Sequence, residues 1–307
     1  MRKAHFILIT CIALAICVSA RFFLEEMQGE KRVPAQPQRI ISLAPSATET
    51  LFALGLGPQV TGVTTYCAWP EEVKNKPKVA EFSQLNLEAI VRSKPDLAVV
   101  PADKPDVCTM IDKLGIPVVT LSTHSIAEYV DDVLALGRAV GRAAEAEAMA
   151  AAFRRELEAA QKRAEGKRKP RVLFAVMRGQ EGLDHITEFT AVGVDGFYTD
   201  LLELAGGENV YTGRLTFPKL SREAVIFLNP DVIVDIMGPF DKPDSVLKQW
   251  QSVPSVRAVR EGRILLLSDL EDTVPGPRSV VTLSRLARAF YPDEQPAGGE
   301  QNGGESK

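Results

Sequence analysis

Histidine is nearly absent from this chain: three residues, His5, His124 and His185, in 307 positions. With no HExxH string and no His beside a cysteine at ligand spacing, zinc-protease and zinc-finger readings are excluded. No GxSxG and no GxxxxGK[ST] occurs, which removes the serine-hydrolase elbow and the phosphate-binding loop. A basic excess is also missing. Lys and Arg number 36 against 40 Asp and Glu, a net charge of −4 without long single-sign blocks, so nothing resembles the basic stripe of a nucleic-acid binder. Gly-Leu-Gly at 55–57 follows a helical pattern and runs into Pro58; it reads as a helix end and turn, not as a dinucleotide fingerprint. No two motifs converge on an acid–base or nucleophile pair, so the chain is read as a non-enzyme.

Long apolar runs are missing too, apart from Phe6 to Val18, which follows Arg2 and Lys3 and is too short for a spanning helix. It ends in Val18-Ser19-Ala20, a signal-peptidase pattern, so residues 1–20 read as a secretory signal. An uncleaved anchor, or lipidation at Cys17 in a poor lipobox, are the alternatives. Loss of the signal leaves a net charge of −6 and two cysteines, Cys67 and Cys108. An oxidising compartment permits a bridge between them, but sequence alone does not bring them within bonding range. Residues 21–37 read as a linker. Residues 293–307 are a Gly, Glu and Gln tail with too little apolar surface to order itself.

What is present is an alternation of strand and helix patterns, the mark of α/β lobes with mostly parallel sheets. Strands are expected at 39–43, 60–64, 97–100, 117–121, 171–176, 232–234 and 264–267. One unit occurs twice. Phe82 to Val99 aligns without a gap on Phe217 to Val234, with seven of eighteen positions identical: the pairs 82/217, 85/220, 88/223, 89/224, 95/230, 96/231 and 99/234. Asn86 and Ser221 are matching N-cap residues, and Pro95 and Pro230 close the two short helices. Glu49 to Gly55 is loosely echoed by Asp200 to Gly206. Two lobes of like topology follow, at 38–125 and 170–292. Between them, Ile126 to Gly137 carries a one-sided apolar stripe, and Arg142 to Gly166 reads as a helix of about 37 Å. That length is enough to join the lobes across a cleft that changes shape little.

RIISLAPSATETLFALGLG, VTGVTTYCAWPEEVKNKPKV, NLEAIVRSKPDLAVV, LAGGENV and FPKLSREAV, in that order, resemble the helical-backbone (class III) periplasmic substrate-binding proteins of ABC importers. The likeness runs from about Arg39 to Pro292, and the Tyr66 to Pro70 and LSRE segments are most similar to the cobalamin branch of the cobalamin, ferric-siderophore and haem family. The resemblance implies a monomeric periplasmic protein with no resident cofactor that takes a corrinoid to a membrane permease and its ATPase. It implies an aromatic cleft, matched here by Tyr66, Phe82 and Phe217, with Trp69 beside them, and it implies Glu88 and Glu223 as docking residues for the transporter. Glu271 and Asp272 are candidates for a polar contact. Two departures stand out: Pro101-Ala102-Asp103 lacks the aromatic residue the pattern has there, and Arg178 to His185 lacks the aromatic side chains usual in that segment, with Leu183 as its one large apolar residue. Haem, with Tyr66 or His185 as axial ligand, a ferric siderophore, or an exported enzyme acting on a bound tetrapyrrole remain alternatives. Each Phe is equally readable as a core residue at a strand end, and each Glu as a helix-end carboxylate favoured by the helix dipole.

Overall fold

A computed structural model describes residues 32–81, 84–122, 124–178, 184–194, 196–238, 241–267 and 274–292. The N-terminal sheet is built from β1 (Ile40–Ser42), β2 (Val60–Thr64), β3 (Lys78–Glu81), β4 (Gln84–Leu85), β5 (Leu97–Pro101) and β6 (Val118–Leu121) in the spatial order β4-β3-β2-β1-β5-β6. Every pair is parallel except β3 with β4. Helices α1 (Pro45–Ala53), α2 (Leu87–Ser93) and α3 (Pro105–Lys113) cover its faces.

The C-terminal sheet runs β10 (Lys219–Ser221), β8 (Glu188–Ala191), β7 (Arg171–Arg178), β11 (Val232–Ile236), β12 (Ile264–Leu267), with the short β9 (Glu208–Asn209) beside the start of β7. Its helices, in chain order after α4 (Ile126–Ala139) and α5 (Ala143–Ala164), are α6 (Phe197–Leu204), α7 (Arg222–Leu228), α8 (Pro243–Gln251), α9 (Arg257–Arg260) and α10 (Ser279–Phe290). The two lobes differ in one respect that the repeat hides. In the second, β8 reverses against β7 where the first lobe has only parallel neighbours beside β1.

Alternation along the central strands shows why the lobes hold together. Ile41, Ala98 and Val100 face one small core with Ile90 of α2 and Ile111 of α3. Leu173, Ala175 and Ile233 face another, with Val225 of α7 and Trp250 of α8. Their neighbours Ile40, Leu97 and Val99, and Val172, Phe174, Val232 and Val234, all point into one continuous core. Ala146, Phe153 and Ala160 of α5 lie in that shared core, so the joining helix is packed by both sheets. Helix α5 spans 22 residues against the expected 142–166. It is flanked by α4 and α10, which makes the joint a three-helix layer. Gly137 permits the α4–α5 crossing: a Cβ there would stand 2.4 Å from that of Ala146.

The repeated helices end alike. Asn86 and Ser221 accept from the N–H groups of Ala89 and Ala224 at 3.0 and 3.3 Å, as N-cap side chains do. The stop is set by Lys94 and Asn229 in the left-handed region (φ 45° and 43°), one residue ahead of each proline. The repeated Asp then ties down the start of its lobe's first strand. Asp96 accepts from the backbone of Gln38 and Arg39, and Asp231 from the backbone of Arg171. Among the described residues no helix is long and apolar enough to cross a membrane, and Cys67 and Cys108 are separate free thiols.

Candidate functional site

In parallel α/β sheets, ligands gather at the carboxyl ends of the strands. On the first lobe the loop after β2 holds Tyr66 and Trp69, 45% and 50% exposed. Between them Cys67 is buried, its Sγ 3.1 Å from both the Thr48 and Thr64 hydroxyls. That anchor turns the loop inward at Cys67 and leaves its neighbours outside. The Tyr66 phenol is pushed up from its ordinary value, first by partial desolvation and then by the charge of Glu81 at the end of β3. Phe82 lies outside the described residues, as do Glu271, Asp272 and Cys17.

Trp69 looks the other way, toward the second lobe's chain. The Arg278 guanidinium sits 5.1 Å from the centre of its ring, within cation–π range. Arg278 also donates to both carboxylate oxygens of Glu49 on α1, Nε to Oε2 at 2.9 Å and the terminal nitrogen to Oε1 at 2.7 Å. Glu49 is 5% exposed and Arg278 18%. Sequence reasoning passed over both residues, since Glu49 sits in an ordinary helical stretch and Arg278 lies 229 positions away. They form a staple between the lobes directly beneath a candidate ligand-facing aromatic. A second tie joins Asp200 of α6 to the N–H of Ile126, at 2.6 Å.

Phe217 precedes β10 on the other lobe and is 52% exposed, so it is not a core residue. Gly193 allows the 215–217 segment to pass, because a Cβ there would meet the Leu215 carbonyl at 1.8 Å. Leu215 and Met177 are also more than half exposed. Met177 pairs across β8 with Thr190, which in turn pairs with Lys219, so Met177 belongs to the same stretch of sheet. The expected strand stopped at Val176, one residue short of it.

Behind Met177 lies a buried charge cluster that no motif announced. Arg178 donates to Asp235 and Asp241, and the Trp250 indole N–H donates to the other oxygen of Asp235 at 2.7 Å. Burial raises the Asp235 carboxyl against the pull of Arg178 and Trp250, and the charge of Asp241 adds a smaller push the same way. Arg178 begins the segment that departs from the family pattern, and its guanidinium is turned to Asp235 and Asp241. His185 is exposed. Among the described residues no group of His, Cys, Asp and Glu is arranged to hold a metal ion.

Glu88 and Glu223 are both exposed and stand at the second position of α2 and α7. Glu88 is paired to Arg92 one turn on. The Glu223 carboxyl is held below its ordinary value by the Ser221 hydroxyl, its own backbone N–H and Arg222.

A family model described as periplasmic binding protein matches residues 40–270. An uncharacterised ABC transporter substrate-binding lipoprotein, YvrC of Bacillus subtilis (strain 168), is 28% identical over 266 residues, 85% of this chain and 82% of the relative. A vitamin B12-binding protein of Yersinia pestis (strain Pestoides F) is 31% identical over 241 residues, 75% of this chain and 81% of the relative. Among solved structures, the periplasmic heme-binding protein RhuT of Roseiflexus sp. RS-1 superposes with a TM-score of 0.69 at 28% identity, over 83% of this chain and 98% of that one.

Proposed function

Because this chain belongs to the periplasmic binding protein family, we propose that it captures a corrinoid outside the cytoplasm and delivers it to the permease and ATPase of an ABC importer. It is a binding protein and not an enzyme. The observation that carries the corrinoid reading is the half exposure of aromatics from both lobes, Tyr66 and Trp69 from one and Phe217 from the other. Flat rings that fold into no core bury a bulky, amphipathic ligand with little loss of rotamer freedom. Phe82, the repeat counterpart of Phe217, is taken as a further ligand-binding aromatic, and Glu271 and Asp272 as candidates for a polar contact. Haem or a ferric siderophore is the second reading, favoured by the likeness to a heme-binding protein.

Residues 1–20 act as the export signal, cleaved or kept as an anchor, and Cys17 is the lipidation site if the chain is a lipoprotein like its Bacillus relative. Residues 38–125 and 170–292 form the lobes and 126–169 the helices between them. The mature protein works as a monomer. It docks by Glu88 and Glu223, one from each lobe, on basic groups of the permease.

The test is titration of the purified mature protein with cobalamin, cobinamide, haemin and ferric siderophores, following tryptophan emission. A submicromolar corrinoid constant, about −8 kcal/mol or better, is expected. Phe217→Ala should weaken it by roughly 1–2 kcal/mol for the apolar area lost. If only haemin or a siderophore binds, the corrinoid reading falls and the family assignment stands.

A further inference from the structure

Helices α2 and α7 are copies of each other: seven residues each, the same N-cap bond, the same left-handed stop and the same Pro-Asp exit. Matched position by position, Glu88 falls on Glu223 and Val91 on Ile226, and all four are exposed. The copies differ at their first residue, Leu87 against Arg222, and again at the position after Val91 and Ile226. On α2 it is Arg92, which reaches back one turn to pair with Glu88. On α7 it is Phe227, 88% exposed, the barest of the large apolar side chains among the described residues. Residues four apart on a helix share a side, so Phe227 stands beside Glu223 where Arg92 stands beside Glu88.

The fold makes no use of Phe227. Helix α7 is fastened to its core by Val225, fully buried, and by Leu228 packed against the same cluster. Ile226, next to Phe227 in the chain, is 41% exposed, so two adjoining apolar side chains of α7 are left uncovered, the kind of surface that a contact uses.

We propose that the two docking faces are unequal: the C-terminal lobe is the anchor, with Phe227 filling an apolar pocket of the permease beside a basic residue that pairs with Glu223, while Glu88 is partly neutralised by Arg92 and serves alignment. This deepens the docking reading given above and rests on it. The partner is fixed by charge and shape together. A carboxylate next to a bare aromatic fits a site with a Lys or Arg at the rim of an apolar hollow. The carboxylate of Glu223 is held in its charged form by Ser221, its own N–H and Arg222, which suits it to that pairing.

The experiment uses the full mature protein and the detergent-solubilised permease–ATPase complex whose ATP hydrolysis the wild-type protein stimulates. Affinities are measured for Phe227→Ala, Val91→Ala, Arg92→Ala, Glu88→Arg and Glu223→Arg, each checked for an unchanged melting temperature. Phe227→Ala should weaken binding by about tenfold to a hundredfold, as an interface anchor does, and Val91→Ala by less than about threefold. Glu223→Arg should cost more than Glu88→Arg, and Arg92→Ala should leave binding unchanged or tighter. Normal binding by Phe227→Ala with loss in Glu223→Arg overturns the anchor and leaves docking intact. Normal binding by both charge reversals overturns docking itself. A wild-type dimer in light scattering that Phe227→Ala dissolves assigns the ring to a second copy of this chain, and overturns the permease pocket.

Discussion

Replacing Glu49 by Gln keeps the side chain's size and removes the charge that holds Arg278 across the lobes. The wild-type pair has two charge-assisted bonds of 2.7 and 2.9 Å, with a carboxylate only 5% exposed. Removing one partner of a fully buried pair costs about 3–5 kcal/mol, because the other charge is left unpaired in a poor dielectric. Arg278 keeps 18% of its surface and its place over Trp69, so part of that penalty is relieved by water and by the ring. A loss of about 2–3 kcal/mol is expected, which for a chain of this size lowers the melting temperature by roughly 5–10 °C. Arg278→Met should cost a similar amount, since it strands the carboxylate. The double variant should cost less than the sum of the two by about 1–2 kcal/mol. The assay is urea unfolding of the four proteins, with acrylamide quenching of the native state alongside. Trp250 is fully buried, so the quenchable emission is that of Trp69, and losing Arg278 should raise it. Strict additivity of the two variants, together with unchanged quenching, would refute the staple and its hold on Trp69.

Ligand-dependent emission should vanish in Trp69→Phe and persist in a Trp250→Phe variant that remains folded; the reverse result would put the ligand away from the β2 loop. Burial pushes the Asp231 carboxyl upward, but the Arg171 N–H, Arg168 and Arg257 outweigh it and hold it below the ordinary range. Its folded value is thus depressed, so the stability it supplies is present above about pH 4 and lost as the pH falls further. Asp231→Asn should therefore cost about 2 kcal/mol at pH 7 and progressively less below pH 4 in urea unfolding; a gap that stays constant down to pH 2.5 would contradict this. Small-angle scattering with saturating ligand should change the radius of gyration only slightly, because both sheets pack on α5 in one continuous core. A contraction like that of a hinge-closing receptor would contradict it.

The amino-acid sequence by itself determined the features whose causes are local. Asn86 and Ser221 open their helices because a short side chain three residues ahead of a free N–H accepts its bond. The apolar runs at 60–64 and 264–267 became strands with the expected bounds, and the duplicated Phe-to-Val unit showed two lobes before any coordinates did. Exposure was half legible: Phe217 read equally well as a core residue at a strand end, and only its neighbours showed it to be half exposed. Only the tertiary structure decided which distant charges meet. Glu49 with Arg278, and Arg178 with Asp235 and Asp241, are pairs across 229, 57 and 63 positions, and no periodicity carries information about a partner that far away. The same holds for the duplicated helices. Position 92 and position 227 occupy one place in the repeat, yet one is an arginine spent on its own glutamate and the other a ring in open water. The shared core has the same origin, because a strand buried on both faces reads as one apolar run whether it serves one lobe or binds two together.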